Sequence, residues 1–303
     1  MGDARSGGLS DGEHLAVDGR PVGLGDRVEE VQQGARRRVF LELVVLWLVT
    51  LLLIRGVVMA QSAGLHPWSL ALVPCLFIYA PVVLCRFRGV DSFAYRLFIP
   101  MFSDSAAWGQ AFRLSLGICA VIGLPWLVGY HVYQAHVFPE VLSWFGVEWG
   151  VPEFGLHRLI PPMPDGVWME RLLEDRPLAA DSLRWLNGYG TLLAYHVFFV
   201  AIPEEFFYRG YFQTRLNEVF PRKFVLFGIP FGHGLWIAAL FFAFGHSLVQ
   251  FQWWHVFTFF PGVVFGLLRE RTGVVIAGAL FHAFCNVAVG LMDISYGLAP
   301  WPF

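Results

Sequence analysis

Lysine is nearly missing from this chain: Lys223 stands alone against twenty arginines. So strong a bias points to a GC-rich, bacterial genome. Charge of either sign is scarce too. Only 15% of residues are charged and 56% are hydrophobic, more apolar side chain than one water-soluble core of this length needs. No basic stripe or nucleic-acid motif occurs, which excludes nucleic acid as a partner. Cysteine is limited to Cys75, Cys85, Cys119 and Cys285, all in or beside apolar stretches and without CxxC or metal-like spacing. They read as small core residues, not as a disulfide frame or a metal site. No apolar segment begins before Val39, so no signal peptide is expected.

What remains is greasy and aromatic. Thirty phenylalanines and twelve tryptophans cluster beside polar breaks, where rings anchor helices at a bilayer interface. Apolar stretches long enough to span a membrane fall at 39–60, 68–85, 111–133, 187–216, 235–250, 252–268 and 274–292. The expected fold is an all-α, polytopic transmembrane helix bundle of about seven to eight spans. The eighth would be a re-entrant pass within 224–234, apolar but broken by Gly228, Pro230, Gly232 and Gly234. Residues 1–35 lack apolar periodicity and read as a disordered cytoplasmic tail. Residues 36–133 carry three spans, 134–183 form a proline-rich extracytoplasmic loop with little regular structure, and 184–303 form the core that holds the site.

Basic residues set the expected orientation. Arg36, Arg37 and Arg38 precede the first span, Arg86, Arg88 and Arg96 follow the second, Arg215, Arg222 and Lys223 follow the fourth, and Arg269 and Arg271 follow the sixth. Loops 61–67 and 251–252 have none. The reading is a multi-pass protein of a bacterial inner membrane with its N-terminus in the cytoplasm.

Against this apolar background, Ile202-Pro203-Glu204-Glu205-Phe206-Phe207-Tyr208-Arg209 places two carboxylates and a guanidinium at membrane depth. Each costs on the order of 2.5–3.5 kcal/mol on insertion scales. Glu205 and Arg209, four apart, share a helix face and can pair, which leaves Glu204, about 100° round the helix, for another task. Alone, the pair could serve only to orient helices. His246 and the pair His282 and Asn286 change that balance, because all lie 8 to 12 residues inside their spans, as Glu204 does. At the α-helical rise this is about 12–18 Å of depth, near mid-bilayer. A lone intramembrane His is more often a packing residue. Two His, one Asn and two Glu at matched depth on three helices read as a site.

Peptide hydrolysis needs a base for water and donors for the tetrahedral oxyanion. Desolvation and a second carboxylate suit Glu204 to accept and return a proton. His246 can share the water, His282 and Asn286 can present N–H donors from one helix face, and Arg209 can hold Glu205. The expected partners are the lipid bilayer and a membrane protein or lipidated peptide as substrate; no cofactor and no metal are expected.

The segments EEFFYR (204–209), FAFGH (242–246) and HAFCN (282–286) resemble the EExxxR, FxxxH and HxxxN motifs of the CAAX-protease and bacteriocin-processing family of intramembrane glutamic endopeptidases. FPGVVFGLLRERTG (260–273) is similar to that family's glycine-spaced helix and basic turn. The resemblance covers 187–292. It implies Glu204 as base, His246 as its partner on the water, Glu205 and Arg209 in support, and His282 and Asn286 at the oxyanion. Myxosortase-like members, which process C-terminal sorting signals, offer a parallel for the substrate.

Other readings stand beside this one. Glu204, His246 and His282 could bind zinc, although no HExxH occurs. A transporter would show repeated halves, and EEFFYR and HAFCN are not duplicated. A non-catalytic binding or immunity protein would have lost a motif. Glu42 and Arg55 in the first span are expected to snorkel or pair with neighbours, Cys285 to be no nucleophile, and His196, His233 and His255 to be packing or interface residues, His255 without a partner.

Overall fold

A computed structural model describes residues 24–91, 104–148, 153–159 and 188–298. Seven helices dominate. Helix α1 spans Leu24–Ser62, α2 Leu72–Phe87 after a 3-10 turn, and α3 Ser105–Val132, running on through a π-turn at Tyr133–Val137 to Ser143. Helix α4 covers 188–217, α5 His233–Val249, α6 Phe259–Thr272 and α7 Ile276–Ser295. Strands β1 (Arg222–Leu226) and β2 (Ile229–Gly232) form an antiparallel hairpin between α4 and α5.

The ends of these helices follow from local chemistry. Asp104 caps α3, its carboxylate accepting from the Ala107 N–H at 3.0 Å. Gly273, at φ 74°, closes α6 in the left-handed conformation that glycine adopts without a Cβ clash. Helix α4 is wound unevenly, with π-helical turns at His196–Ala201 and Phe206–Gln213 on either side of the α-helical turn Ile202–Glu205. Pro203 explains the first: it has no N–H for the Phe199 carbonyl, and its ring crowds that oxygen. Pro139 stands in the same relation to the π-turn of α3.

Among the described residues, four segments are long and apolar enough to cross a membrane: Val28–Ser62, Trp68–Phe87, Ser105–Ser143 and Ile276–Ser295, with α5 a shorter apolar helix. Within their most apolar windows 22%, 22%, 17% and 50% of residues are buried, so the first three helices turn most of their surface to lipid and α7 is central. Glycine and alanine let α7 sit there: Ala279 and Ala283 pack against Ala201, with Val197 and Ile202 beside them.

The all-α expectation holds, and the chain is an integral membrane protein. Several details differ. The apolar stretch 224–234 is no re-entrant pass; it holds most of the β-hairpin, because Phe227 and Gly228 both take positive φ and reverse the chain in two residues. Residues 24–35, expected as part of a disordered tail, are the first turns of α1, since Glu29, Glu30, Gln32, Gln33 and Ala35 are good helix formers; residues 1–23 lie outside the described residues. The expected span at 252–268 begins as a 3-10 turn at Trp253–Thr258 and becomes α-helical only at Phe259. In the loop expected at 134–183, the first residues extend α3 to Ser143, and Gly155 bonds to the Ser295 carbonyl at the end of α7. Residues 149–152 and 160–187 lie outside the described residues.

The basic flanks expected on one side do meet. Glu42 of α1 accepts from Arg88 after α2 (3.2 Å) and from Arg215 (3.2 Å) and the Tyr211 hydroxyl (2.7 Å) of α4. Arg36 donates to the Val219 carbonyl, and Arg222 pairs with Glu270 of α6 at 2.9 Å. Glu42 thus pairs as expected, and Arg55 donates to the Leu248 carbonyl at 2.7 Å.

Candidate active site

Arg209 is the fixed point of the cluster. Its side chain is 1% exposed, and it donates to Glu205 Oε1 at 3.0 Å and to the Gly262 carbonyl of α6 at 2.9 Å. The guanidinium carbon lies 4.4 Å from the Phe242 ring centre and 5.1 Å from that of Phe265. Aromatic faces and a backbone carbonyl replace the water this cation has lost. Gly262 is needed for the approach, since a Cβ there would lie 3.2 Å from both the Arg209 Nη2 and the Phe242 ring. One turn on, Gln213 repeats the contact with the Gly266 carbonyl at 3.1 Å.

Glu205 is fully buried, and its Oε1 also meets His282 Nδ1 at 3.1 Å. A carboxylate paired with a buried guanidinium is ionised and can only accept, so Nδ1 of His282 carries a proton and donates. Phe265 stacks on the His282 ring at 4.8 Å and Phe242 meets it edge-on at 5.5 Å, which fixes its plane. On α5, His246 Nδ1 lies 2.9 Å from the Phe242 carbonyl. A carbonyl only accepts, so Nδ1 of His246 is the protonated nitrogen as well.

Were both rings neutral, each would turn an Nε2 lone pair toward the remaining carboxylate. Glu204 Oε2 lies 3.9 Å from His246 Nε2 and 3.9 Å from His282 Nε2. That is too long for a direct hydrogen bond and is a separation one water can bridge. The same oxygen is buried and has no hydrogen-bond partner among the described residues. Glu204 and His246 keep 15% and 29% of their side-chain surface exposed, whereas His282 keeps 3%, so the approach to the site lies along Glu204 and His246.

Three acceptors facing one point exceed the two protons a water carries. The charges lead to the same count: Glu204, Glu205 and Arg209 sum to one negative charge, and a single further proton makes the cluster neutral. Low-dielectric surroundings favour that neutral total. Placed on His282, the proton makes Nε2 a donor opposite the anionic Glu205; placed on Glu204, it leaves both rings as acceptors.

Of the six residues singled out in the sequence, five converge here. Asn286 is half-buried one turn beyond His282 on α7, and no hydrogen bond joins it to the other five. The pattern did not reveal the aromatic walls Phe242 and Phe265 or the Gly262 carbonyl; the alternation of glycine along 262–266 was their only trace. His255 was expected to lack a partner, yet its ring lies 5.6 Å from that of His246, carried there by the turn after α5. Cys285 is a free, half-buried thiol beside the site. Among the described residues, no three His, Cys, Asp or Glu side chains are grouped as metal ligands would be.

Residues 187–288, a third of the chain, match the family model described as Rce1-like, type II CAAX prenyl endopeptidase Rce1-like. The match is consistent with the CAAX-protease family that the three motifs resemble. No curated protein and no solved structure matches the chain.

Proposed function

We propose, taking the Rce1-like segment as premise, that this membrane protein is a glutamic-type intramembrane endopeptidase with Glu204, Glu205, Arg209, His246, His282 and Asn286 as its catalytic set. One observation carries the reading: Glu204 Oε2 stands 3.9 Å from two imidazole Nε2 atoms whose Nδ1 protons are already committed. A water held between them loses a proton to Glu204 as its oxygen attacks the scissile carbonyl, with His246 keeping the water in place. The carbonyl becomes a tetrahedral oxyanion. His282, carrying the extra proton that Glu205 holds on its ring, donates from Nε2 to that oxygen, and the Asn286 amide supplies a second donor. Glu204 then returns its proton to the leaving amine, the C–N bond breaks, and the carboxyl and amine products separate. Arg209 does not touch the reacting atoms; it keeps Glu205 anionic and in place.

In this proposal the catalytic unit is 184–303, built on the three-helix segment 36–133, with 134–183 as an extracytoplasmic loop and the N-terminal tail in the cytoplasm. The substrate is a membrane-associated protein or lipidated peptide of a bacterial inner membrane, trimmed near its C-terminal signal. The test is a comparison of membrane proteomes between wild type and a Glu204→Ala strain. Proteins that keep an uncleaved C-terminal segment only in the variant are expected; membrane proteins of unchanged size in both strains would sink the proposal.

A further inference from the structure

The hairpin between α4 and α5 carries chemistry that the site does not use. Its two-residue turn, Phe227-Gly228, has φ 50° and 73°, the type I′ geometry that favours Asn, Asp or Gly at both positions. Phenylalanine is a poor choice there, because its Cβ resists a positive φ. Its ring nevertheless projects into open space, 88% exposed. The strand leading to it is Arg-Lys-Phe-Val-Leu, and every residue of it is exposed: Phe224 39%, Val225 71% and Leu226 40% among the apolar ones. Successive strand residues face opposite ways, so both faces of β1 are apolar and open. The base, in contrast, is held. Phe231 is buried, with its ring against Phe224 and Trp236, and Arg222 is tied to Glu270.

We infer that this hairpin is an interfacial anchor whose tip, Phe224 to Phe227, enters the headgroup and acyl boundary of the adjoining leaflet. A peptide strand adding to the hairpin would pair with one backbone edge and leave the apolar side chains on both faces in water. Lipid covers both faces and the tip at once. The charges agree. Lys223 is exposed at the foot of the apolar tip, and Arg36, Arg88, Arg215 and Arg222 gather at the same end of the bundle, where they outnumber Glu42, Glu218 and Glu270, the carboxylates that pair with the last three, and leave a net basic rim that suits anionic headgroups. The strain accepted at Phe227 then has a reason, since an aromatic ring is the side chain that settles best at this boundary. The hairpin joins the helix of Glu204 to the helix of His246, so its hold on the leaflet bears on how those helices are set.

The test uses the wild-type chain in phosphatidylethanolamine vesicles containing a phospholipid with a photoreactive diazirine in its acyl chain, with adducts mapped by mass spectrometry. Residues 224–227 are expected to carry adducts at a yield like that of the lipid-facing residues Leu116 and Val121 of α3. Adding phosphatidylglycerol should raise the hairpin yield, and Lys223→Glu should abolish that rise. Phe227→Asn suits the turn, so the fold is kept, and the tip yield should fall on the order of tenfold with the loss of one buried aromatic ring. Adducts on α3 with none on 224–227 would overturn the inference. So would protection of 224–227 from a water-soluble radical probe only after a substrate peptide is added.

Discussion

Removing Arg209 probes the arrangement most directly. In Arg209→Met the carboxylate of Glu205, fully buried, loses its guanidinium and keeps only His282. Breaking a buried pair by taking away one partner costs about 3–5 kcal/mol, because the other charge stays behind unpaired. The Gly262 carbonyl loses its donor too, which adds about 1–3 kcal/mol. A domain of this size shifts its melting temperature by roughly 2–4 °C per kcal/mol, so a fall on the order of 10 °C is expected. Glu205→Gln alone should also destabilise, since Arg209 then keeps a full charge with a neutral partner. The double variant Arg209→Met, Glu205→Gln removes both charges and should recover about half the loss or more, a coupling of roughly 2–3 kcal/mol. Melting is followed by intrinsic tryptophan fluorescence in one lipid-nanodisc preparation for all four proteins. Single-variant losses that simply add in the double variant, or an Arg209→Met protein that melts with wild type, would refute the claim that this pair holds the site. Proteolysis should stay lost in the double variant even where stability returns, because His282 has lost its anionic partner.

Glu204→Gln should lower turnover by about 10²- to 10⁴-fold while melting stays near wild type, since Glu204 makes no hydrogen bond that the fold relies on; turnover near wild type would remove it as the base. Asn286→Ala is expected to cost about 10²- to 10³-fold in kcat with KM little changed, the signature of a donor used only in the transition state, and a loss confined to KM would place Asn286 in substrate binding. Gly278→Ala puts a Cβ 3.1 Å from Glu205 Oε2, so kcat should fall without a change in expression; unaltered kinetics would show that the carboxylate has room to move. Turnover should survive prolonged dialysis against a strong zinc chelator, and loss restored by added Zn²⁺ would revive the reading of Glu204, His246 and His282 as metal ligands.

The candidate cluster was legible in the sequence because charge at membrane depth is costly and rare, so Glu204, Glu205, Arg209, His246 and His282 stood out against apolar neighbours. Their convergence followed from counting depth along each helix. The contacts that hold Arg209 were hidden, since a phenylalanine in a greasy helix carries no mark of facing a guanidinium and a backbone carbonyl carries no mark at all. His255 was misjudged for a related reason: periodicity places residues on a helix, and His255 sits on a 3-10 turn whose path depends on where α5 stops. Apolar content over 224–234 predicts a membrane pass, but the punctuation of that stretch decides its fold. Gly228, with short apolar runs on both sides, is a hairpin signal. Polarity over 24–35 predicts disorder, yet those residues are good helix formers and have α1 to grow from.

The wide turn ahead of Pro203 makes α4 a joint as well as a scaffold. A helix that carries an i→i+5 turn holds one residue more than its hydrogen-bond ladder needs. Deleting a single residue from His196–Ala201 would let the ladder close as an ordinary α-helix and leave the flanking residues near their present directions, whereas the same deletion in a regular α-helical turn would swing everything before it by about 100° relative to Glu204. The surplus residue thus lets α4 absorb a one-residue change ahead of the half that carries Glu204. Loss of one residue in this turn would spare both halves of α4 and leave the five clustered side chains where they are.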